Sequence, residues 1–154
     1  MGDWVYDPDT GLISCNGVVK GCLEASGYVK LYYKGKVWRA HRLAYELQGL
    51  EIPKQVDHKN GVRHDNRWCN LRAASNMQNQ YNRKPTSKQG HLKGAQFNKR
   101  AKVWYSQIRV DGKRYHLGTF ATEEAAHSAY VEASRKLHGE FSLWTSRGSE
   151  QPKP

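Results

Sequence analysis

The chain has 154 residues, 38% of them hydrophobic, with 25 Lys and Arg against 14 Asp and Glu and a formal net charge of +11. That length holds one medium domain or two small ones, and the modest apolar fraction favours two. The cationic excess selects polyanionic partners. No run is long and apolar enough to cross a bilayer, and the opening MGDWVYDPDTG has no signal-peptide core, which argues against a membrane role and for a cytoplasmic location.

The first segment reads as short strands. WVYDPDTGLIS is an alternating apolar run broken by Asp-Pro and Thr-Gly, and GYVKLYYKGKVWRAH alternates around the turn at Lys34-Gly35-Lys36. Over residues 40–48, Leu43, Ala44 and Leu47 take helical spacing, and Gly49 and Pro53 stop the helix. The polar stretch VDHKNGVRHDNRWCNL follows, residues 56–71. His64 and Asp65 suit a turn between two strands. Next, SNMQNQYNRK predicts a helix with Ser75 as its N-cap, although its asparagines are poor helix formers.

RKPTSKQGHLKG lacks apolar periodicity and reads as a basic linker. Beyond it come three β-like runs and the Asp111-Gly112 hairpin turn. In the second run Trp104, Ser106, Ile108 and Val110 alternate with Tyr105, Gln107 and Arg109. In the third, Tyr115, Leu117 and Thr119 alternate with Arg114 and His116. One face is thus apolar, with Phe97 and Trp104 expected in its core, and the other polar and basic. Thr122 caps a final helix whose buried stripe is expected at Ala126, Ala129, Ala133 and Leu137, with Gly139 as its stop. Between Arg83 and Arg114 ten Lys or Arg face the single acid Asp111, which marks the electrostatic footprint. Cys15, Cys22 and Cys69 are odd in number and fit no common zinc spacing, which argues against a disulfide framework and against structural zinc.

Phosphodiester hydrolysis needs a water, a base to deprotonate it, and positive charge near the phosphate. If the strand at Val56 brings neighbouring side chains to one rim, the Asp57 carboxylate can hold a divalent cation while the His58 imidazole takes the proton. Asn79, one helix later, can add an amide oxygen. Asn76 and Asn82 share its helical stripe and remain alternatives. His41 is either a supporting residue or a packing histidine.

VDHKNG, DNRWCNL and SNMQNQYN, with AHRL upstream, resemble the HNH nucleases of the ββα-metal type found in phages and mobile introns, over roughly residues 4–83. The resemblance implies that His58 is the general base, that Asp57 and Asn79 bind Mg2+ or Mn2+, and that Asn70 braces the loop. It also implies DNA cleavage leaving 3′-hydroxyl and 5′-phosphate ends. The run from Lys93 to Ser142 is similar to the APETALA-two or ethylene-response-factor DNA-binding domain, through W…IR, LGTF and EEAA…AY. That likeness places Arg109 and Arg114 at base- or phosphate-contacting positions. Gln107 and His116 stand where the plant family has Glu and Trp, so its sequence preference does not transfer.

The expected fold is α+β: a ββα-metal nuclease domain over residues 1–83, a linker at 84–92, a three-stranded antiparallel sheet with one helix over 93–145, and a tail at 146–154. The expected function is metal-dependent endonuclease action of phage or homing type on double-stranded DNA, by nicking or double-strand cleavage and as monomer or homodimer. Gln107, Arg109, Arg114 and His116 would face DNA with Lys99, Arg100 and Lys102 beside them. The competing function is a noncatalytic DNA-binding regulator on a nuclease scaffold.

Overall fold

Asn16-Gly17, Lys34-Gly35 and Asp111-Gly112 each have positive φ at both positions. This is the geometry of two-residue hairpin turns whose twist matches that of paired strands. In the computed structural model, which describes residues 2–83 and 90–146, these turns organise a mixture of helices and small antiparallel sheets. The chain divides into two compact units, residues 1–79 and 80–154. Of the expected linker, residues 84–89 lie outside the described residues, as do residues 147–154 of the expected tail. Among the described residues no helix is long and apolar enough to cross a membrane.

In the first unit β1 (Trp4–Tyr6), β2 (Ile13–Cys15) and β3 (Val18–Lys20) form one sheet. A second sheet contains β4 (Cys22–Leu23), β5 (Val29–Tyr33) and β6 (Lys36–Arg39). Helix α1 (Ala40–Leu47) leaves β6 without a loop and buries Leu43 and Ala44 completely. With Tyr6, Ile13, Leu31, Tyr33, Val56 and Leu71 they make the core. Full burial of a side chain such as Leu43 contributes about 1.5–3 kcal/mol.

The antiparallel pair β7 (Gln55–His58) and β8 (Leu71–Ala74) follows, and then α2 (Asn76–Tyr81). Ser75 opens α2 through a reciprocal capping box: its hydroxyl accepts from Gln78 N at 3.1 Å, and Gln78 Oε1 accepts from Ser75 N at 2.8 Å. The loop between β7 and β8 is held from outside. Tyr6 Oη donates to Asn66 O at 2.7 Å, Trp68 N donates to Pro8 O at 2.8 Å, and a side chain at Gly11 would collide with the backbone of Asn66 and Arg67.

The second unit is a sheet in the order β11-β10-β9, built from β9 (Ala95–Asn98), β10 (Val103–Val110) and β11 (Lys113–Phe120). It is covered by α3 (Glu123–His138), and the short α4 (Leu143–Ser146) follows. Thr122 Oγ1 caps α3 by accepting from Ala125 N at 3.2 Å.

Three expectations are corrected here. A register shift between Ser106 and Gln107 pairs Ser106 with Gly118 but Gln107 with His116. This bulge moves Thr119 to the face of Tyr105 and sets Phe120 opposite Trp104. Phe97 is 43% exposed and leans on Trp104 at a ring separation of 5.1 Å instead of filling a core. Leu137 is 49% exposed, and α3 buries Ala126, Ser134 and His138 at i, i+8 and i+12. The two polar members are satisfied: Ser134 Oγ lies 3.0 Å from His138 Nδ1 and 2.9 Å from Ser142 Oγ. Past Ser106, β10 has no β9 partner. There His138 Nε2 meets Arg109 O at 3.0 Å, and Tyr81 Oη accepts from Asp111 N at 3.2 Å.

Candidate active site

Asp57 and His58 end β7, and both are buried, 5% and 4% exposed. Neighbours on a strand project to opposite sides, and Asp57 and His58 bond to Arg72 and to Asn66 respectively. Asp57 is paired in register with Arg72. Arg72 Nε and Nη2 donate to Asp57 Oδ2 at 2.9 and 2.6 Å, an ion pair with both side chains buried. Breaking one half of such a pair typically costs about 3–5 kcal/mol.

His58 Nε2 lies 3.2 Å from Asn66 Oδ1. Asn66 Nδ2 is committed to His64 O at 3.2 Å, so its oxygen faces His58. The ring proton therefore sits on Nε2 and the basic lone pair on Nδ1. Burial pushes the His58 pKa below the ordinary imidazole value with help from Arg63, while the Asn66 bond and the Asp57 and Asp65 carboxylates oppose it. His41 packs against His58 with ring centroids 5.1 Å apart. Burial first, then His58 and the Arg39 and Arg42 cations, lower its pKa to about 3. Its Nδ1 is buried without a hydrogen-bond partner among the described residues.

Asn70 ties the loop together. Its Nδ2 donates to Asp65 O at 2.7 Å, its Oδ1 accepts from Asn60 N at 2.9 Å, and its carbonyl accepts from Lys59 N at 2.9 Å. The Arg67 guanidinium beside Asp65 lowers that carboxyl to about 2. Asn79 is half-buried on α2, Asn76 is exposed at its first position, and Asn82 is buried just beyond its end. Among the described residues no three His, Cys, Asp or Glu side chains cluster at metal-ligating distance. Asp57 and Asn79 carry the hard oxygen donors that a cation such as Mg2+ prefers. Any cation at Asp57 competes with Arg72.

In the second unit the pairings Gln107 with His116 and Arg109 with Arg114 put these four side chains on one face, opposite the buried Ser106 and Ile108. His116 stacks near Tyr105 at 6.3 Å. Gln96 Oε1 accepts from Tyr105 Oη at 2.7 Å and Gln107 Nε2 at 3.3 Å. A depression of about 250 Å³ is lined in part by Gln107, Arg109 and Arg114. Lys99, Arg100 and Lys102 lie exposed in the turn between β9 and β10. Asn66 and Arg72, which set the state of His58 and Asp57, had no signal of their own in the sequence, because their contacts depend on loop closure and strand register.

Residues 39–81 match a family model described as HNH endonuclease. Asp57, His58, Asn70 and Asn79 all lie inside that match, and the second unit's basic face lies outside it. The chain is 34% identical over 127 residues to a protein of Acanthamoeba polyphaga mimivirus described as an uncharacterized HNH endonuclease. The alignment covers 79% of this chain and 64% of the relative. No solved structure matches. The segment that builds β7, β8 and α2 is thus an HNH endonuclease domain, matched over residues 39–81.

Proposed function

We propose that the protein is a divalent-metal-dependent endonuclease acting on double-stranded DNA, with His58 as general base. The observation that carries this reading is the buried His58 ring whose Nε2 is held by Asn66 Oδ1. That contact suits an Nε2–H tautomer, and burial favours the neutral ring, the form that can accept a proton from water. Asp57 and Asn79 would hold Mg2+ or Mn2+, which when bound supplies positive charge at the phosphate and leaving oxygen. Asn70 keeps the loop from Lys59 to Asp65 closed around the histidine. In the second unit Gln107, Arg109, Arg114 and His116 present a donor-rich face for base edges, with Lys99, Arg100 and Lys102 beside it for phosphates.

A second reading, a noncatalytic DNA-binding regulator, is favoured by the bond from Arg72 to Asp57, which already neutralises the carboxylate. Incubation of supercoiled and linear DNA with Mg2+ or with EDTA separates the two. Relaxed or linear product that requires the metal supports the nuclease. Binding without product in any metal supports the regulator.

A further inference from the structure

Three chain segments converge on one ring beside His58. Tyr28, just before β5, is half-buried, and its ring centroid lies 5.2 Å from that of His41 and 6.0 Å from that of His58. The guanidinium carbon of Arg39, at the end of β6, lies over the same ring at 4.4 Å. That of Arg63, in the loop between β7 and β8, lies over it at 5.0 Å. Arg63 Nη1 also donates to Ser26 O at 2.7 Å, which fixes the guanidinium by one edge.

The charge arrangement separates these two arginines from their neighbours. Arg67 is bound by Asp65, Arg72 by Asp57, and Arg42 donates to Pro53 O. Arg39 and Arg63 are exposed, and neither forms an ion pair among the described residues. Two cations lie over one aromatic ring, and among the described residues neither has a carboxylate partner. A planar guanidinium matches phosphate oxygens in a fixed fork, and stacking on a ring orients it before a ligand arrives. An anionic ligand is the missing complement. The ring they share touches His58, so a phosphate bound here belongs to a backbone passing the proposed base.

We propose that Tyr28 seats Arg39 and Arg63 as a paired phosphate-binding site beside His58, which grips the sugar-phosphate backbone of the DNA strand presented for cleavage. The inference rests on the nuclease reading for its substrate. Arg39 and Arg63 touch that substrate, and Tyr28 is a positioning residue.

The test uses the full chain in EDTA, with binding of a labelled duplex followed across a salt series. Each phosphate contact contributes about 0.9 to the slope of log affinity against log salt concentration. Arg39→Ala combined with Arg63→Ala lowers the slope by about 1.8. Tyr28→Leu lowers it comparably, and Tyr28→Phe, which keeps the ring, leaves the parent value. In a second arm, single phosphates of the duplex are replaced in turn by neutral methylphosphonate. Two positions weaken the parent protein and leave the double arginine variant unaffected. A double variant that melts like the parent and keeps the parent slope overturns the proposal, as does one that responds to every methylphosphonate as the parent does. If the double variant does not fold, Arg63→Gln replaces it, with an expected loss of about 0.9 in slope, and an unchanged slope overturns the proposal equally. If the slopes fall as expected and the parent cuts no DNA in Mg2+, the nuclease reading fails while the phosphate site stands.

Discussion

Arg109 and Arg114 stand directly opposite each other across the ladder of β10 and β11, both exposed and neither in an ion pair among the described residues. Like charges at directly opposed positions destabilise a sheet by a few tenths to about 1 kcal/mol. Arg109→Ala with Arg114→Ala is therefore expected to leave the melting temperature unchanged or slightly raised while DNA binding weakens and discrimination between selected and scrambled duplexes narrows. Each lost base contact would cost roughly 1–3 kcal/mol of discrimination. Lys102→Ala should lower affinity for both duplexes alike. Thermal melts and binding isotherms across salt check this, and a double variant that binds both duplexes like the parent removes the second unit as the reader.

His58→Ala is expected to abolish cleavage and leave DNA affinity near the parent value, since the cationic surface is untouched. The pH profile carries a sign. Only the neutral ring accepts a proton, and burial places the His58 pKa below 6.5, so the acid limb of the rate should fall below that pH, not at it. Single-turnover rates from neutral pH downward measure the limb, and a limb centred above 6.5 contradicts the assignment.

The pair Asp57 and Arg72 lends itself to a double-mutant cycle. Arg72→Met leaves a buried carboxylate without this guanidinium and should cost about 3–5 kcal/mol. Asp57→Asn should also destabilise by taking the carboxylate from the buried guanidinium, and the double variant should cost less than the sum of the two. Urea denaturation of the four proteins supplies the numbers. Additive losses would mean that the ion pair does not form.

Acid should destabilise the first unit through His41. Its folded pKa of about 3 lies below the ordinary 6.5, so the unfolded chain binds the proton more readily. Stability is complete above about pH 6.5 and is lost as pH falls toward 3, by up to about 1.4 kcal/mol per pH unit for this group. His41→Gln should flatten that dependence. A variant as acid-sensitive as the parent would place the effect on other groups.

Gly94→Ala should unfold or severely loosen the second unit. Gly94 has φ of +88°, and an added Cβ would run into the ring of Tyr130. Loss of the cooperative transition, followed by near-ultraviolet circular dichroism, is the expected result. A melt within a few degrees of the parent contradicts this packing.

Local chemistry explains what was readable beforehand. The Asp111-Gly112 turn, the Thr122 cap and the Ser75 cap depend on residues one to three positions apart. So does the alternation that buries Ser106 and Ile108 and exposes Arg109. Features set by distant contacts were not readable. The bulge at Ser106 and Gln107 inverts the far half of β11, and no residue type announces it. His138 and Ser134 look like surface residues by composition, yet they are buried because a carbonyl and a hydroxyl wait for them. Asp57 and His58 were visible as neighbours in sequence, whereas the partners that fix their chemistry, Arg72 and Asn66, lie fifteen and eight residues away.

The stretch of β10 beyond Ser106, where His138 and Tyr81 stand in for a neighbouring strand, bears on how the protein behaves in concentrated solution. Unpaired strand edges recruit other strands and start aggregates. Two side-chain bonds that occupy the carbonyl of Arg109 and the amide of Asp111 remove the first rungs on which an incoming chain would build. Protection of this edge therefore depends on an imidazole and a phenol, and His138→Ala is expected to raise self-association, read by light scattering against protein concentration.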